Sequence, residues 1–194
     1  GLGLSVGLLS TRRPIAGAGA AKHEWAAEAA RQTSYLFPMS LPAIILSLAT
    51  FTLAGPKAWG RCLAVILGKS DMSLSVRIKA FALILTGAYL KRLCKQQKIQ
   101  HLHVHSCANA ANSAMFAKLL NGPEYSMTLH GHIEIYGANQ ANKWRHAKFA
   151  IVVTKLLVDE VKEHLPEVNL PPIYAAPMGV ATSNFRRKSA YQAP

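Results

Sequence analysis

Residues 101–154 read HLHVHSCANAANSAMFAKLLNGPEYSMTLHGHIEIYGANQANKWRHAKFAIVVT, and the order of elements in this stretch decides the fold. His101 to His105 alternates polar and apolar residues, as a half-buried strand does. Ser106 to Leu120 then reads as a helix with a polar entrance, broken at Gly122-Pro123. Tyr125 to Leu129 (YSMTL) is a strand running into the loop His130-Gly131-His132. A short helix around Asn139 to His146 leads to Phe149 to Thr154 (FAIVVT), another apolar strand. Lys155 to His164 is an amphipathic helix stopped by Pro166, and Ile173 to Ala176 is a last short strand before Pro177-Met178-Gly179-Val180. Such alternation predicts an α/β fold with a parallel sheet covered on both faces. Right-handed crossovers place every strand's carboxyl end on one edge, where open α/β sheets bind ligands. His105, His130 and Thr154 are expected there.

Upstream, Leu4 to Leu9 reads as a strand entering a basic loop, Ser10-Thr11-Arg12-Arg13-Pro14. Ala20 to Gln32 places Trp25, Ala29 and Ala30 on one side at helical spacing. Leu36 to Ile99 reads as wholly helical, divided at Gly55-Pro56, at Gly60 and at Gly68-Lys69-Ser70-Asp71. Leu36 to Leu53 has about the length of a spanning helix. Pro38 and Pro42 lie inside it, with Ser40, Ser47, Thr50 and Thr52, so a buried or interfacial helix is expected instead. Asp71 or Ser73 is the candidate cap of the next helix, along which Ile78, Phe81, Ala82, Leu85, Ala88 and Tyr89 form an apolar stripe. Lys91, Lys95 and Lys98 share a face near its carboxyl end, which partly answers the helix dipole.

A chain of 194 residues has room for one domain with a real core, or a domain plus an appendage. With 51% hydrophobic and 16% charged residues it is no disordered polyelectrolyte. Its 22 Lys and Arg against 9 Asp and Glu give a formal net charge of +13, which draws anions: nucleic acid, acidic lipid or diphosphates. The basic residues are scattered and do not interleave with aromatic ones, so nucleic acid is not the expected partner. Cys62, Cys94 and Cys107 are odd in number with no CxxC pair, which argues against disulfides or zinc and fits a reducing compartment. No basic stretch precedes the opening apolar run, as a signal peptide would require.

Alternate residues of a strand face one side, so His101, His103 and His105 suggest a metal site, yet the outer two lie ~13 Å apart at strand rise. No metal or other cofactor is expected; packed or hydrogen-bonded roles suit His101 and His103 better. His130-Gly131, directly after a strand, offers an imidazole at the cleft rim and a backbone open to close approach by a ligand. That imidazole either hydrogen-bonds a sugar hydroxyl or phosphate oxygen, or serves as a loop cap that touches no substrate. Glu134 either binds sugar hydroxyls or acts as a base, or it pairs with a nearby cation. No GxGxxG, P-loop, HExxH or GxSxG motif occurs, which removes the usual supports for dinucleotide oxidoreduction, P-loop hydrolysis and serine hydrolysis.

Taken together, HLHVHSCANAANSAMFAKLL, YSMTLHGHIEIYG, KWRHAKFAIVVT and IYAAPMGV followed by Phe185-Arg186 resemble the amino-terminal domain of retaining GT-B glycosyltransferases. The similarity is to family 4 members that build bacterial exopolysaccharides such as colanic acid. VGLLSTRRP, with HEWAAEA and SYLFP behind it, resembles the second strand and following loop of that subgroup, so the likeness runs from about Val6 to Arg187. The resemblance implies an incomplete Rossmann-like acceptor-side domain over residues 1–194, with a hydrophobic helical insertion at about 36–99. It also implies that the first strand and the carboxyl-terminal donor domain are absent, leaving the isolated chain inactive. By the same resemblance His130 and Gly131 contact the donor sugar, His105 and Ser106 line the acceptor side, and Arg12 and Arg13 lie by the acceptor entrance. The family's frequent Asp two residues beyond His-Gly is replaced by Ile133, with Glu134 next as the substitute catalytic carboxylate. The implied partners are a nucleotide-sugar, a lipid-linked saccharide acceptor and an anionic membrane met by Lys91, Arg92, Lys95 and Lys98. The implied location is the cytoplasmic face of the membrane, peripherally bound.

Overall fold

A computed structural model of the chain describes residues 3–13, 24–68 and 70–179. Two parallel sheets organise it. The smaller pairs β1 (Leu8–Arg12) with β2 (Thr33–Phe37), and α1 (Glu24–Gln32) lies between them in sequence. The larger has the order β3 (His101–Val104), β4 (Glu124–Leu129), β5 (Ala150–Val152), β6 (Ile173–Ala175). Helices α5 (Asn109–Leu119), α6 (Gln140–His146) and α7 (Leu156–His164) connect successive strands of this sheet, with a 3-10 turn at Ile133–Tyr136. The chain is therefore α/β with parallel sheets, and all four strands of the larger sheet end on one edge. Three more helices, α2 (Leu41–Thr52), α3 (Pro56–Leu67) and α4 (Leu74–Gln96), stand between β2 and β3.

Several boundaries differ from those the sequence suggests. The first strand is Leu8–Arg12, so Arg12 ends the strand and the exposed Leu4 and Val6 precede it. Thr33–Phe37 is a strand, which removes Leu36 from the helical segment; its β-branched and aromatic residues suit a pleated surface. Ser40 caps α2 through a bond from the Ala43 amide, and Pro42 sits within the first turn, where its missing N–H costs nothing. Ser73, not Asp71, caps α4 through the Val76 amide. The stripe named on α4 divides: Ala88 is buried, while Ile78, Phe81 and Ala82 face solvent and Ala80, Ile84 and Gly87 turn inward. The proposed helix around Ala20 begins at Glu24 within the described residues, and Trp25's side chain lies outside them.

The core is stacked in tiers. Tyr125, Met127 and Leu129 of β4 share a face with Leu102 of β3, and all four are buried. Helix α5 packs on both strands and is buried along nearly its whole length, because α4 covers its other side. Asn112 and Ser113 are buried along with its apolar residues, so the helix turns no continuous polar face to solvent. Its alanines (Ala111, Ala114, Ala117) permit close approach, and Gly87 of α4 completes it. A β-carbon at Gly87 would lie 2.6 Å from the Phe116 β-carbon and 2.9 Å from the Ala117 nitrogen. The opposite face of the sheet is different: His103, His105 and Tyr174 are exposed, and Phe149 and Ile151 are half-buried among the described residues. That face is not covered as an evenly sandwiched sheet would be.

Gly87→Ala is expected to cost about 1–3 kcal/mol by overpacking. Gly60→Ala, at an open helical position, is expected to stabilise by about 0.5–1 kcal/mol. Urea titration of both variants checks the contrast; equal effects would contradict the tiered packing.

Candidate functional site

The open sheet face carries a ladder of polar side chains, set by the parallel register. His103 stands beside Ser126, and His101 lies one step below it. His101 Nε2 lies 2.8 Å from Ser126 Oγ, His103 Nδ1 is 2.8 Å from the same oxygen, and His103 Nε2 is 2.9 Å from Thr128 Oγ1. A hydroxyl has one proton, so when Ser126 donates to one imidazole the other must donate to it. The ladder therefore runs in one direction or the other, and it fixes the ring of His103 in either case. Burial lowers the pKa of His103 first, and the neighbouring His105, His101 and His130 lower it further. Burial likewise lowers His101, whose ring stacks on Phe149 at 5.6 Å.

His105 and His130 crown this ladder at the carboxyl ends of β3 and β4. Their rings stack with centroids 5.7 Å apart and planes 23° from parallel, while His103 meets His105 edge-on at 4.9 Å. His105 is exposed and His130 half-buried, so the pair presents ring edges to solvent at one rim. Gly131 follows. A β-carbon there would meet the Ile135 Cδ1 atom at 3.6 Å and the Tyr136 hydroxyl at 3.9 Å, both ordinary contacts. Nothing within the described chain requires a glycine at that point. Ser106 is half-buried and its hydroxyl is engaged by the Ala108 amide at 3.1 Å.

The carboxylate that shapes this rim is Glu160 of α7. It accepts from the Ile133 amide and approaches His132 Nδ1, both at 2.8 Å, clasping the loop that follows His130-Gly131. The Ile133 amide lowers its pKa most, partly opposed by burial and aided by His132 and His164. Glu134, in contrast, is exposed in the 3-10 turn; its carbonyl accepts from the Gly137 amide, and its carboxylate joins no hydrogen bond or ion pair among the described residues. Sequence spacing gave no signal for Glu160, because its partners lie 27 and 28 residues away.

Beneath the rim lies a second feature that sequence reasoning missed. Lys143 is wholly buried and donates to the carbonyl of Cys107, just after β3, and to that of Tyr136 at 3.4 Å. Asn139 bonds Asn112 of α5 at 2.8 Å, accepts from Asn142 at 2.7 Å, and its amide donates to Asp71 at 2.7 Å. Gln140 Nε2 donates to the Gly137 carbonyl at 2.8 Å. Together these groups tie the loops after β3 and β4 to one another and to α5. Burial without a bonded counter-ion lowers the pKa of Lys143 to about 8.

The other expected residues lie elsewhere. Arg12 and Arg13 are exposed on the smaller sheet, and Arg13 sits over the Tyr35 ring at 5.2 Å. Arg13 also lines a cavity of about 580 Å³ with Thr33, Tyr35, Phe37, Tyr89 and Leu93. No hydrogen bond joins either arginine to the imidazole pair among the described residues. Lys91 does not face outward freely: its amine donates to the Leu120 carbonyl at 2.7 Å, and burial lowers its pKa, with Lys95 adding to the effect. Arg92 is half-buried, Lys95 is exposed, and Lys98 has left the helix with φ 55°, so the three lysines share no helical face. Among the described residues no group of three or more His, Cys, Asp or Glu side chains is placed to hold a metal ion. No protein-family model matches this chain, and no curated protein matches it.

The folded Lys143 is neutral between about pH 8 and 10.5, where the unfolded lysine still holds its proton. Unfolding then takes up a proton, so stability should rise with pH across that window by up to about 1.4 kcal/mol per unit, and stay lower below pH 8. Urea midpoints at pH 7.5 to 9.5 are expected to climb more in the wild type than in Lys143→Met. Parallel profiles would contradict the assignment.

Proposed function

We propose that this chain is the acceptor-side part of a retaining glycosyltransferase. The parent enzyme moves a sugar from a nucleotide-sugar to a lipid-linked saccharide in exopolysaccharide synthesis, at the cytoplasmic face of an anionic membrane. One observation carries the reading: the stacked His105–His130 pair at adjoining strand ends, propped from below by the His103–Ser126–Thr128 ladder. An imidazole edge held this way can hydrogen-bond a sugar hydroxyl or a phosphate oxygen without first ordering its own side chain. Gly131 supports the reading because the fold itself leaves room for a side chain there. A glycine at such a place suits backbone amides approached closely by a ligand.

In this reading His130 contacts the donor sugar, while His105 and the Ser106 backbone line the acceptor side. Glu160 is the positioning residue for the rim, and Glu134 remains free to meet a substrate hydroxyl. Arg12 and Arg13 serve the acceptor entrance, on a different sheet from the imidazoles. No metal or other cofactor enters the reading. Lys95 and Lys98, with Arg92 and the partly engaged Lys91, add a cationic membrane contact. A second reading, a membrane-bound module without catalysis, is favoured by the exposed apolar surface of α2.

Isothermal titration of the folded chain with UDP-glucose and GDP-mannose separates the two. Binding of one of them, weakened roughly tenfold by His130→Ala through the loss of one or more hydrogen bonds, is expected. Gly131→Ala should weaken binding while leaving the urea midpoint unchanged. Binding of neither sugar nucleotide, or binding indifferent to both substitutions, would favour the non-catalytic module.

A further inference from the structure

The exposed apolar surface is made of other residues than the candidate site and the Lys91–Lys98 group. Helix α2 buries only Ala43 and Ser47, with Thr50 and Phe51 half-buried, a single narrow stripe toward α4. The rest of its surface is apolar and open: Leu41, Ile44, Ile45, Leu46 and Leu48 all face solvent, Ile45 at 56% exposure. The chain then turns through 104° into α3, with Leu53 at the turn 86% exposed. Leu63 and Leu67 continue outward on α3, and Leu74, Ile78 and Phe81 form an outward stripe at helical spacing on α4. A folded chain rarely leaves this much large aliphatic surface in water without a use for it.

Charge identifies what covers it. Residues 32–56 contain no charged side chain, and between Glu28 and Glu124 the one acidic residue is Asp71. Asp71 is occupied by the Asn139 amide. That same span holds 11 lysines and arginines. Arg61 and Arg77 are spent on backbone carbonyls, Arg61 on Leu119 and Arg77 on Ile66, Gly68 and Met72. Lys57 at the start of α3 and Lys79 beside Ile78 are exposed and join no hydrogen bond or ion pair among the described residues. An apolar surface flanked by unpaired cations, with almost no acid nearby, suits lipid tails below anionic head groups. It suits a second copy poorly, since pairing would bring like charges together.

We propose that α2, the turn at Leu53 and the outward stripe of α4 insert shallowly into an anionic phospholipid bilayer, with Lys57 and Lys79 at the head-group level. Among the described residues no single helix is long and apolar enough to cross a membrane, whereas α2 and α3 together are apolar enough as a bent pair. The arrangement is a helical wedge lying in one leaflet. The inference rests on the membrane partner of the function proposed above and not on its sugar chemistry. It moves the principal lipid contact from the Lys91 cluster to this wedge.

The test uses the full chain with an environment-sensitive fluorophore at Leu53→Cys, or at Lys162→Cys on the exposed side of α7 as a control. The native cysteines are buried and should resist labelling. With vesicles of phosphatidylcholine containing 30% phosphatidylglycerol, the label at position 53 should brighten at least threefold and shift to the blue. The label at 162 should not change. Ile45→Ser with Leu48→Ser should lower the vesicle partition coefficient at least tenfold. Sedimentation with vesicles while the label at 53 stays silent would overturn the wedge and leave the membrane-associated reading standing. No sedimentation at all would overturn both. A change at 53 that follows protein concentration without vesicles would assign the surface to self-association and overturn the proposal.

Discussion

Enclosure of α5 between the larger sheet and α4 is the constraint from which the rest of the architecture follows. Its residues from Ala111 to Ala117 are all buried, Asn112 and Ser113 included, so the helix is held by neighbours on both sides and not by one amphipathic face. Close approach at Gly87 supplies the second side and fixes where α4 runs. Once α4 lies over α5, α2 can pack only on the outside of α4, and most of its apolar surface is left facing outward. At its other end α5 begins immediately after the β3 loop, where Asn112 meets Asn139 and Lys143 holds the Cys107 carbonyl. One buried helix thereby couples the outer apolar layer to the strand ends.

The strand-end rim owes its shape to polar groups that are costly to leave unsatisfied. Ser126 and Thr128 are nearly inaccessible to solvent, and their partners are the imidazoles lying over them. Holding His103 in place gives His105 a ring edge to pack against, and His105 in turn stacks on His130. Glu160 and Lys143 act from the side and from beneath, one on the loop after β4 and the other between the two loops. None of these four supports needs a ligand to be in place. A rim organised before binding loses less entropy when it binds.

Much of this was legible in the chain. Alternation from His101 onward located β3, β4, β5 and β6 to within a few residues, because period-two and helical patterns there are separated by Gly122-Pro123 and Pro166. The strand-end positions of His105 and His130 follow from that alternation and from parallel topology alone. Other features were not legible. Thr33–Phe37 was hidden because it follows a helix with no turn between them and leads into a long apolar segment, so that Pro38 and Ser40 read as interruptions of one helix and not as the end of a strand. The outward stripe of α4 defeated the usual inference from apolar spacing to burial, since Ile78 and Phe81 have the period of a core face without its burial. Glu160, Lys143 and the Asn139 network make long-range contacts, which local spacing does not encode. The lysine cluster misled for a related reason: Lys91 turned to a carbonyl on α5's far end, and Lys98 fell beyond the helix.

The claim on which the account turns is that the imidazoles of His105 and His130 form one ligand-facing pair. Histidine-selective nitrogen-15 NMR tests it directly, with the folded chain titrated by UDP-glucose and by GDP-mannose. One sugar nucleotide is expected to shift the ring resonances of His105 and His130 together along a single binding curve, while those of His146 hold still. Shifts confined to His146 or His164, or none with either ligand, would contradict it.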